Sequence, residues 1–294
     1  MIPVPSTLRA RESMNLDALT LLLAAASLAG GFLGSLTGLG GGVVIVPVLT
    51  LVFGIDLRYA IGASLVSVIA TSSAAAAAYV RDGYSNLRVG MFLEVATTLG
   101  AVAGTMLARR LPLAAVAIIF GVVLIWSAFL SLRERSGADA GGPPDRLATA
   151  LRMDSSYPTP AGPQPYHLRR IPLGWLIMAI AGALSGLLGI GSGALKVLAM
   201  DQIMRLPFKV STTTSNFMIG VTAAASAGLY LQRGYIDPAL AGPVMLGVLV
   251  GATLGTRVLV KARPAVLRVV FVVVLFALGC EMIYHGATGG FSGG

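Results

Sequence analysis

Long apolar runs, separated by short polar segments, recur along the whole chain. Most of them approach the roughly 20 residues that an α-helix needs to cross the hydrocarbon core of a bilayer. A membrane-spanning β-barrel would instead show segments of about ten residues in which apolar and polar positions alternate. The pattern therefore predicts an all-α polytopic membrane protein. Its apolar runs are Ala18–Phe53, Ala60–Val80, Val89–Ala108, Leu113–Leu132, Ile171–Leu195, Val210–Gln232, Ala239–Thr256 and Ala265–Cys280.

Composition narrows the class of protein further. Apolar residues make up 56% of the chain and charged residues 11%, whereas soluble domains carry about a quarter charged residues. This excludes a soluble globular protein, a disordered chain and a nucleic-acid-binding module. The net charge of +9 needs no nucleic-acid partner, because membrane proteins concentrate Lys and Arg in cytoplasmic loops. The single cysteine, Cys280, excludes an intramolecular disulfide and a cysteine-based metal site, and we predict no cofactor or metal.

Polar segments divide the chain into five parts. Residues 133–170 are rich in proline, glycine and arginine, and such a segment cannot bury enough apolar surface to fold alone. The first residues resemble a secretory signal peptide, but the following segment recurs in mid-chain, which argues against cleavage; Met14 is an alternative start to Met1. The parts are an N-terminal tail at 1–17, membrane repeat 1 at 18–132, a hydrophilic linker at 133–170, membrane repeat 2 at 171–285 and a glycine-rich tail at 286–294.

The two membrane parts are similar in sequence. A shift of 151 residues aligns 18 identical residues within positions 31–105 without a gap, including a Tyr-x3-Gly-Tyr pattern that begins at Tyr79 and at Tyr230. Shared apolar composition would not align such a pattern with itself. We therefore predict two internal repeats, an organisation typical of secondary transporters.

Each repeat begins with an apolar segment that a glycine cluster interrupts. The first segment, Ala18–Phe53, is too long for one crossing at 1.5 Å per residue, and each glycine lowers helix stability by about 1 kcal/mol. We predict that each segment breaks into two shorter helices. Such breaks are tolerated only inside protein or beside a water-filled cavity, and their free N–H groups and helix dipoles suit a small oxyanion.

The candidate substrate-binding residues lie at and after these breaks. Lys196 is the most informative of them, because an ionisable residue at membrane depth suggests function; the alternative is a side chain that snorkels to the interface. Asn216 offers two amide donors. Glu94 is interpreted as interfacial, although it could carry a proton. The predicted site residues are Thr37, Gly38, Gly40, Gly41, Gly42, Gly189, Gly191, Ser192, Gly193, Lys196, Ser215 and Asn216.

Positive charges decide between two topologies. If each broken segment crosses the membrane once, the repeats are parallel, with 11 Lys and Arg residues on the linker side and 9 on the other. If each is a hairpin that returns to its starting side, the repeats are inverted and the counts are 14 and 6. The positive-inside rule favours the second arrangement. We therefore predict two inverted repeats in the inner (plasma) membrane, each a glycine-broken helical hairpin plus three transmembrane helices, with a cytoplasmic linker.

The segment from Gly34 to Pro47, GSLTGLGGGVVIVP, resembles the N-terminal signature of the sulfite exporter TauE/SafE family. The resemblance implies ion-coupled transport, with a proton or Na⁺ as the coupling ion, of small anions such as sulfite, sulfonates and sulfoacetate. The second copy departs from this signature, with Ser192 and Leu198 in place of the third consecutive glycine and the proline.

The predicted function is secondary transport of small sulfur-containing or organic oxyanions at the two glycine clusters, with the lipid bilayer and a small anion as partners. An anion channel and a non-transporting scaffold or sensor remain alternatives. A membrane enzyme is not expected, because both histidines, His167 and His285, lie outside the predicted spans. The sequence has no Walker A loop for a primary pump, and it leaves the oligomeric state open.

Overall fold

The computed structural model describes residues 16–37, 42–81, 85–132, 145–159, 162–189, 191, 193–259 and 264–289. These residues form a mainly helical protein, which confirms the predicted helical class. The helices of the first half are α1 (Leu16–Thr37), α2 (Gly42–Pro47), α3 (Leu57–Arg81), α4 (Leu87–Ala108) and α5 (Leu113–Leu132). A short helix, α6 (Arg146–Ala150), and two strands, β1 (Ser155–Thr159) and β2 (Gly162–Tyr166), follow. The second half contains α7 (Ile171–Leu188), α8 (Gly193–Leu198), α9 (Phe208–Gln232), α10 (Pro238–Leu259) and α11 (Pro264–Ala287).

Apolar helices dominate both halves. Within the described residues, α4 and α7 are long and apolar enough to cross a membrane by length and composition. Shorter apolar helical stretches occupy residues 20–32, 42–52, 113–126 and 238–254. Large apolar side chains such as Leu99, Trp126 and Phe276 are more than half exposed, as expected of surfaces that face lipid.

Both broken segments fold back on themselves. A Cβ placed on Gly30 of α1 would lie 2.7 Å from Cδ1 of Ile45 in α2, so the chain after the first break runs back beside α1. In the second half, a turn of π-helix (Ala199–Ile203) extends α8, and the backbone N–H of Arg169 donates to the carbonyl of Met204 at 3.0 Å. The second segment therefore ends beside the start of α7.

Glycines let helices of opposite halves approach closely. Gly100 and Gly104 of α4 face the backbone of Ala179 and Ala183 in α7, where any Cβ would overlap a carbonyl oxygen. The same contact recurs between α1 and α10, where Gly251 faces the carbonyl of Leu28. Small residues at helix interfaces are a common way to pack helices in membranes.

Two further helix pairs run antiparallel. In α3, Gly62 approaches the carbonyl of Tyr235, just after α9, whereas Ser72 donates to the carbonyl of Asn216 near the start of α9 at 2.9 Å. In α5 and α11, Gly121 lies against Gly279, and Gly286 approaches Ala114. In each of these pairs, the two helices occupy matching places in the two halves.

The described part of the linker is folded, although its composition cannot bury enough apolar surface to fold alone. β1 and β2 pair antiparallel, and Met153, Tyr166 and Leu168 are buried against α4 and α7. Asn86 caps α4 by accepting from the N–H of Val89 at 3.1 Å, while its amide donates to the carbonyl of Met153 at 2.9 Å and to Tyr166 Oη at 2.8 Å. The segment therefore obtains its apolar core from the helices beside it rather than from its own residues.

The α4–α7 contact gives a testable prediction. Gly104→Ala should lower the free energy of unfolding by about 1–3 kcal/mol, because the new methyl group would overlap the carbonyl of Ala183. Gly242→Ala in α10 is the matched control, since no atom lies within 4 Å of its Cβ position, and the gain in helix propensity should leave it unchanged or slightly stabilised. Thermal unfolding of the detergent-purified proteins measures both, and equal unfolding temperatures would contradict the close contact.

Candidate functional site

The two breaks meet near the middle of the helical bundle. Gly42 begins α2, and a Cβ placed on it would lie 2.7 Å from Ser64 Oγ and 3.1 Å from the carbonyl oxygen of Gly189. Ser64 Oγ in turn donates to that carbonyl at 2.9 Å. A residue larger than glycine at position 42 would therefore push the first break away from the second.

The second break depends on glycine conformations. Gly189 and Gly191 have φ angles of +69° and +71°, a left-handed region that side chains with a Cβ disfavour. Gly193 resumes the helix, and Ser215 Oγ of α9 lies 3.4 Å from its carbonyl oxygen. Ser64 thus reaches the Gly189 carbonyl, which the end of α7 leaves without a regular helical partner, and Ser215 reaches the carbonyl of the residue at which α8 begins.

Lys196 lies three residues after Gly193 and is completely buried. Its Nζ donates to Thr222 Oγ1 of α9 at 2.6 Å. The Thr222 hydroxyl lies 2.6 Å from Glu94 Oε1 of α4, to which it can donate, and Lys196 Nζ lies 4.0 Å from Glu94 Oε2. The three side chains form a buried charged cluster that joins α8, α9 and α4, which we call the Lys196 cluster.

Burial of the Lys196 cluster costs free energy, and only part of its hydrogen-bonding capacity is used. Removing two charges from water costs several kcal/mol per ion, which close pairing and additional hydrogen bonds offset. Glu94 Oε1 also accepts from Thr98 Oγ1 at 3.2 Å. Glu94 Oε2, however, has no hydrogen-bond partner within the described residues. A buried carboxylate oxygen with spare accepting capacity is a place where a proton can bind.

The cluster is not repeated at the equivalent positions of the two halves. The residues 151 positions away from Lys196, Glu94 and Thr222 are Ile45, Met245 and Thr71. Ile45 is completely buried, and Thr71 donates only within its own helix, at 3.0 Å to the carbonyl of Ser67 and at 3.2 Å to that of Val68. The charged chemistry therefore distinguishes two otherwise similar halves.

The structure brings several of the predicted site residues together. Gly42, Gly189, Gly193 and Ser215 lie at the meeting of the breaks, and Lys196 lies beside them. The side chain of Asn216 makes no hydrogen bond to the described residues, while its carbonyl accepts from Ser72. The predictions that lie outside the described residues concern Gly38, Gly40, Gly41, Ser192 and the side chain of Thr37.

Sequence reasoning missed the partners of Lys196. The interpretation of Glu94 as interfacial does not anticipate that it is 7% exposed and faces Lys196. The available signal was that Glu94 is the one charged residue between Arg88 and Arg109. A lone carboxylate and a lone lysine, both at membrane depth, tend to pair. Thr222 carried no such signal, because membrane threonines usually bond within their own helix.

Buried helix breaks beside an ionisable cluster, inside a bundle of apolar helices, define the protein as a membrane transporter. The chain belongs to the sulfite exporter TauE/SafE family, whose profile matches residues 22–282. This is a family of transporters and not of enzymes, so the prediction of a non-enzymatic protein is confirmed.

Relatives in distant organisms support this class. The chain is 27% identical over 273 residues to the "Probable membrane transporter protein YunE" of Bacillus subtilis, an alignment that covers 90% of this chain and 97% of the relative. It is 26% identical over 275 residues to a "Probable membrane transporter protein" of Xylella fastidiosa (92% and 97% covered). It is 24% identical over 268 residues to "Probable membrane transporter protein MJ0441" of Methanocaldococcus jannaschii (86% and 91% covered). No solved structure matches the chain significantly.

The Lys196 cluster predicts a thermodynamic coupling. Lys196→Ile or Glu94→Met alone leaves one buried charge unpaired and should destabilise the protein by about 3–5 kcal/mol. The double variant, which copies the apolar character of Ile45 and Met245, should be less destabilised than either single variant. Thermal or denaturant unfolding in detergent measures the cycle. Strictly additive effects would show that the two charges do not interact.

Proposed function

We propose that the protein is a secondary transporter of small anions that couples their movement to protons through the Lys196 cluster. The observation that carries this proposal is the fully buried Lys196, which lies three residues after the second break and contacts Glu94 through Thr222. An ionisable pair at membrane depth is typical of ion pathways and proton relays. The preferred substrates are sulfite, sulfonates and related sulfur or organic oxyanions, as the family description suggests.

Electrostatics links the proton to the anion. When Glu94 is ionised, its charge balances that of Lys196, and the cluster attracts no further anion. When Glu94 is protonated, Lys196 keeps an unbalanced positive charge in a poorly solvated place, where an anion is strongly favoured. Proton binding at Glu94 and anion binding near Lys196 therefore strengthen each other by the same factor.

Proteoliposomes test the coupling. An inward proton gradient should drive accumulation of labelled sulfite or a labelled sulfonate. Glu94→Gln should abolish this accumulation while it preserves exchange of anion across the membrane, because the amide resembles the protonated acid. The same anion should raise the unfolding temperature of Glu94→Gln more than that of the wild type. Met245→Gln, at the matching position of the other half, is the control and should retain proton-driven accumulation.

Four outcomes would contradict the proposal. Absence of movement of sulfite, sulfonates and sulfate would favour a scaffold or sensor, and passive flux without counterflow would favour an anion channel. Accumulation that follows a Na⁺ gradient instead would reject the proton as coupling ion. Unchanged proton-driven accumulation in Glu94→Gln would remove Glu94 from the coupling.

We also propose that the two halves are inverted repeats in the inner membrane, with the linker in the cytoplasm. Matching helices run antiparallel (α3 with α9, α5 with α11), as a twofold axis in the membrane plane requires. The hydrogen bond between Arg169 and Met204 joins the two ends of the second broken segment, which supports a hairpin that returns to its starting side. With three further helices, each half then crosses the membrane an odd number of times. In addition, Arg58, Arg109 and Arg233 border one pocket, whereas the parallel arrangement would place Arg233 on the opposite side from the other two.

Accessibility of introduced cysteines tests this topology. In a Cys280→Ser background, Asp237→Cys should react with a membrane-impermeant maleimide in intact cells, because the loop after α9 lies outside. Gln164→Cys in the linker should react only after permeabilisation. Reaction of Asp237→Cys only after permeabilisation would instead support parallel repeats.

A further inference from the structure

A second positively charged site lies away from the Lys196 cluster. A cavity of about 320 Å³ opens where α3 and α5 begin and where α4 and α9 end. Arg58, Arg109 and Arg233 line it together with Tyr230 and Tyr235. The linker contacts the opposite end of α4, through Asn86, so this cavity lies at the other end of the bundle.

Two of the three arginines are positioned by uncharged groups. Arg233 Nη1 donates to the carbonyl of Thr105 at 2.9 Å, and the guanidinium of Arg58 lies 5.6 Å from the centre of the Tyr235 ring. Within the described part of the chain, no carboxylate forms an ion pair with Arg58, Arg109 or Arg233. Three unpaired guanidiniums around one cavity attract an anion.

Much of the remaining lining of the cavity is apolar. Leu57, Ile61, Leu113 and Val116 line it, and its volume lies at the lower end of the range for small-molecule sites. A bare oxyanion would leave these apolar side chains without a partner. An organic anion would place its charged group on the arginines and its hydrocarbon part on the apolar wall.

Ile61 links this cavity to the candidate transport site. It lines the cavity, is 1% exposed, and lies so close to the second break that a Cβ on Gly189 would be 2.6 Å from Ile61 Cγ2 and 3.1 Å from its carbonyl oxygen. Ile61 therefore contacts Gly189 of the second break and also lines the arginine-lined cavity.

We propose that this cavity is an outer binding site for small organic anions, such as short-chain alkanesulfonates, which wait there beside Ile61 before they reach the breaks. The waiting role rests on the proposed transport function, whereas binding in the cavity does not. The experiment therefore measures occupancy of the cavity without transport.

Charge-selective modification of a cysteine tests the site. In a Cys280→Ser background, Leu113→Cys is treated in nanodiscs with a sulfonatoethyl methanethiosulfonate and with its trimethylammonium counterpart. The measured quantity is the rate of the sulfonate reagent divided by the rate of the cationic reagent. We expect this ratio to be roughly tenfold higher at Leu113→Cys than at Gln164→Cys. Added propanesulfonate should protect the cysteine with saturation, and sulfate at equal ionic strength should protect it much less.

Arginine variants assign the effect to the cavity. Replacement of Arg58, Arg109 and Arg233 by Gln should bring the ratio of rates close to that at Gln164→Cys. Arg109→Gln alone, which removes one exposed charge, should lower the ratio partially and serves if the triple variant does not fold. Arg110→Gln is the matched control, because Arg110 adjoins Arg109 in sequence but does not line the cavity, and it should leave the ratio unchanged.

Three other outcomes would overturn the proposed binding site. Equal reactivity towards both reagents would mean that the cavity does not attract anions, and equal protection by sulfate and propanesulfonate would reject an organic ligand. If propanesulfonate does not protect, and only phosphatidylglycerol in the nanodisc slows the sulfonate reagent, the arginines bind lipid phosphates. Anion binding here without any flux in proteoliposomes would instead reject the transport proposal and leave this site intact.

Discussion

The fold depends on one constraint: a helix that breaks inside a membrane protein must find hydrogen-bond partners for the backbone groups that it frees. Ser64 provides one of these partners, and Ser215, which is 151 residues later, contacts the backbone where the helix resumes. Ser64 donates to the carbonyl of Gly189, and Ser215 approaches that of Gly193. Because these hydroxyls come from α3 and α9, the breaks fix where those helices lie. The glycine contacts of α4 with α7, and of α1 with α10, then surround this centre.

The Lys196 cluster adds chemistry to a scaffold that does not itself require charge. Ile45 occupies the matching position in the first half and is equally buried, so the fold accommodates an apolar side chain there. The charged cluster joins the second break to α4 and α9, and it therefore connects the occupancy of the break with helices of both halves. Such a connection is what coupling between an ion and a substrate needs.

Much of the architecture was predictable because it follows from local composition. The apolar runs predicted the helices, and the glycine clusters predicted the breaks at Gly42 and Gly189. The folded linker was not predictable, since Met153, Tyr166 and Leu168 are buried by helices rather than by one another. The pairing of Glu94 was not predicted for a similar reason. Its partner, Lys196, lies 102 residues later in the chain, and the isolation of each charge within an apolar run is the one sign of that contact in the sequence.

The restriction of Lys196 to one half has a consequence for the origin of the protein. If a single ancestral half had worked as a symmetric pair, each copy would have presented the same side chain at this position. Halves that each carried both the lysine and the glutamate would form two such clusters, and halves with neither would form none. A single cluster can therefore arise only after the two copies have become separate genetic units. On this view, duplication supplied the scaffold, and divergence of the copies made its charged cluster asymmetric.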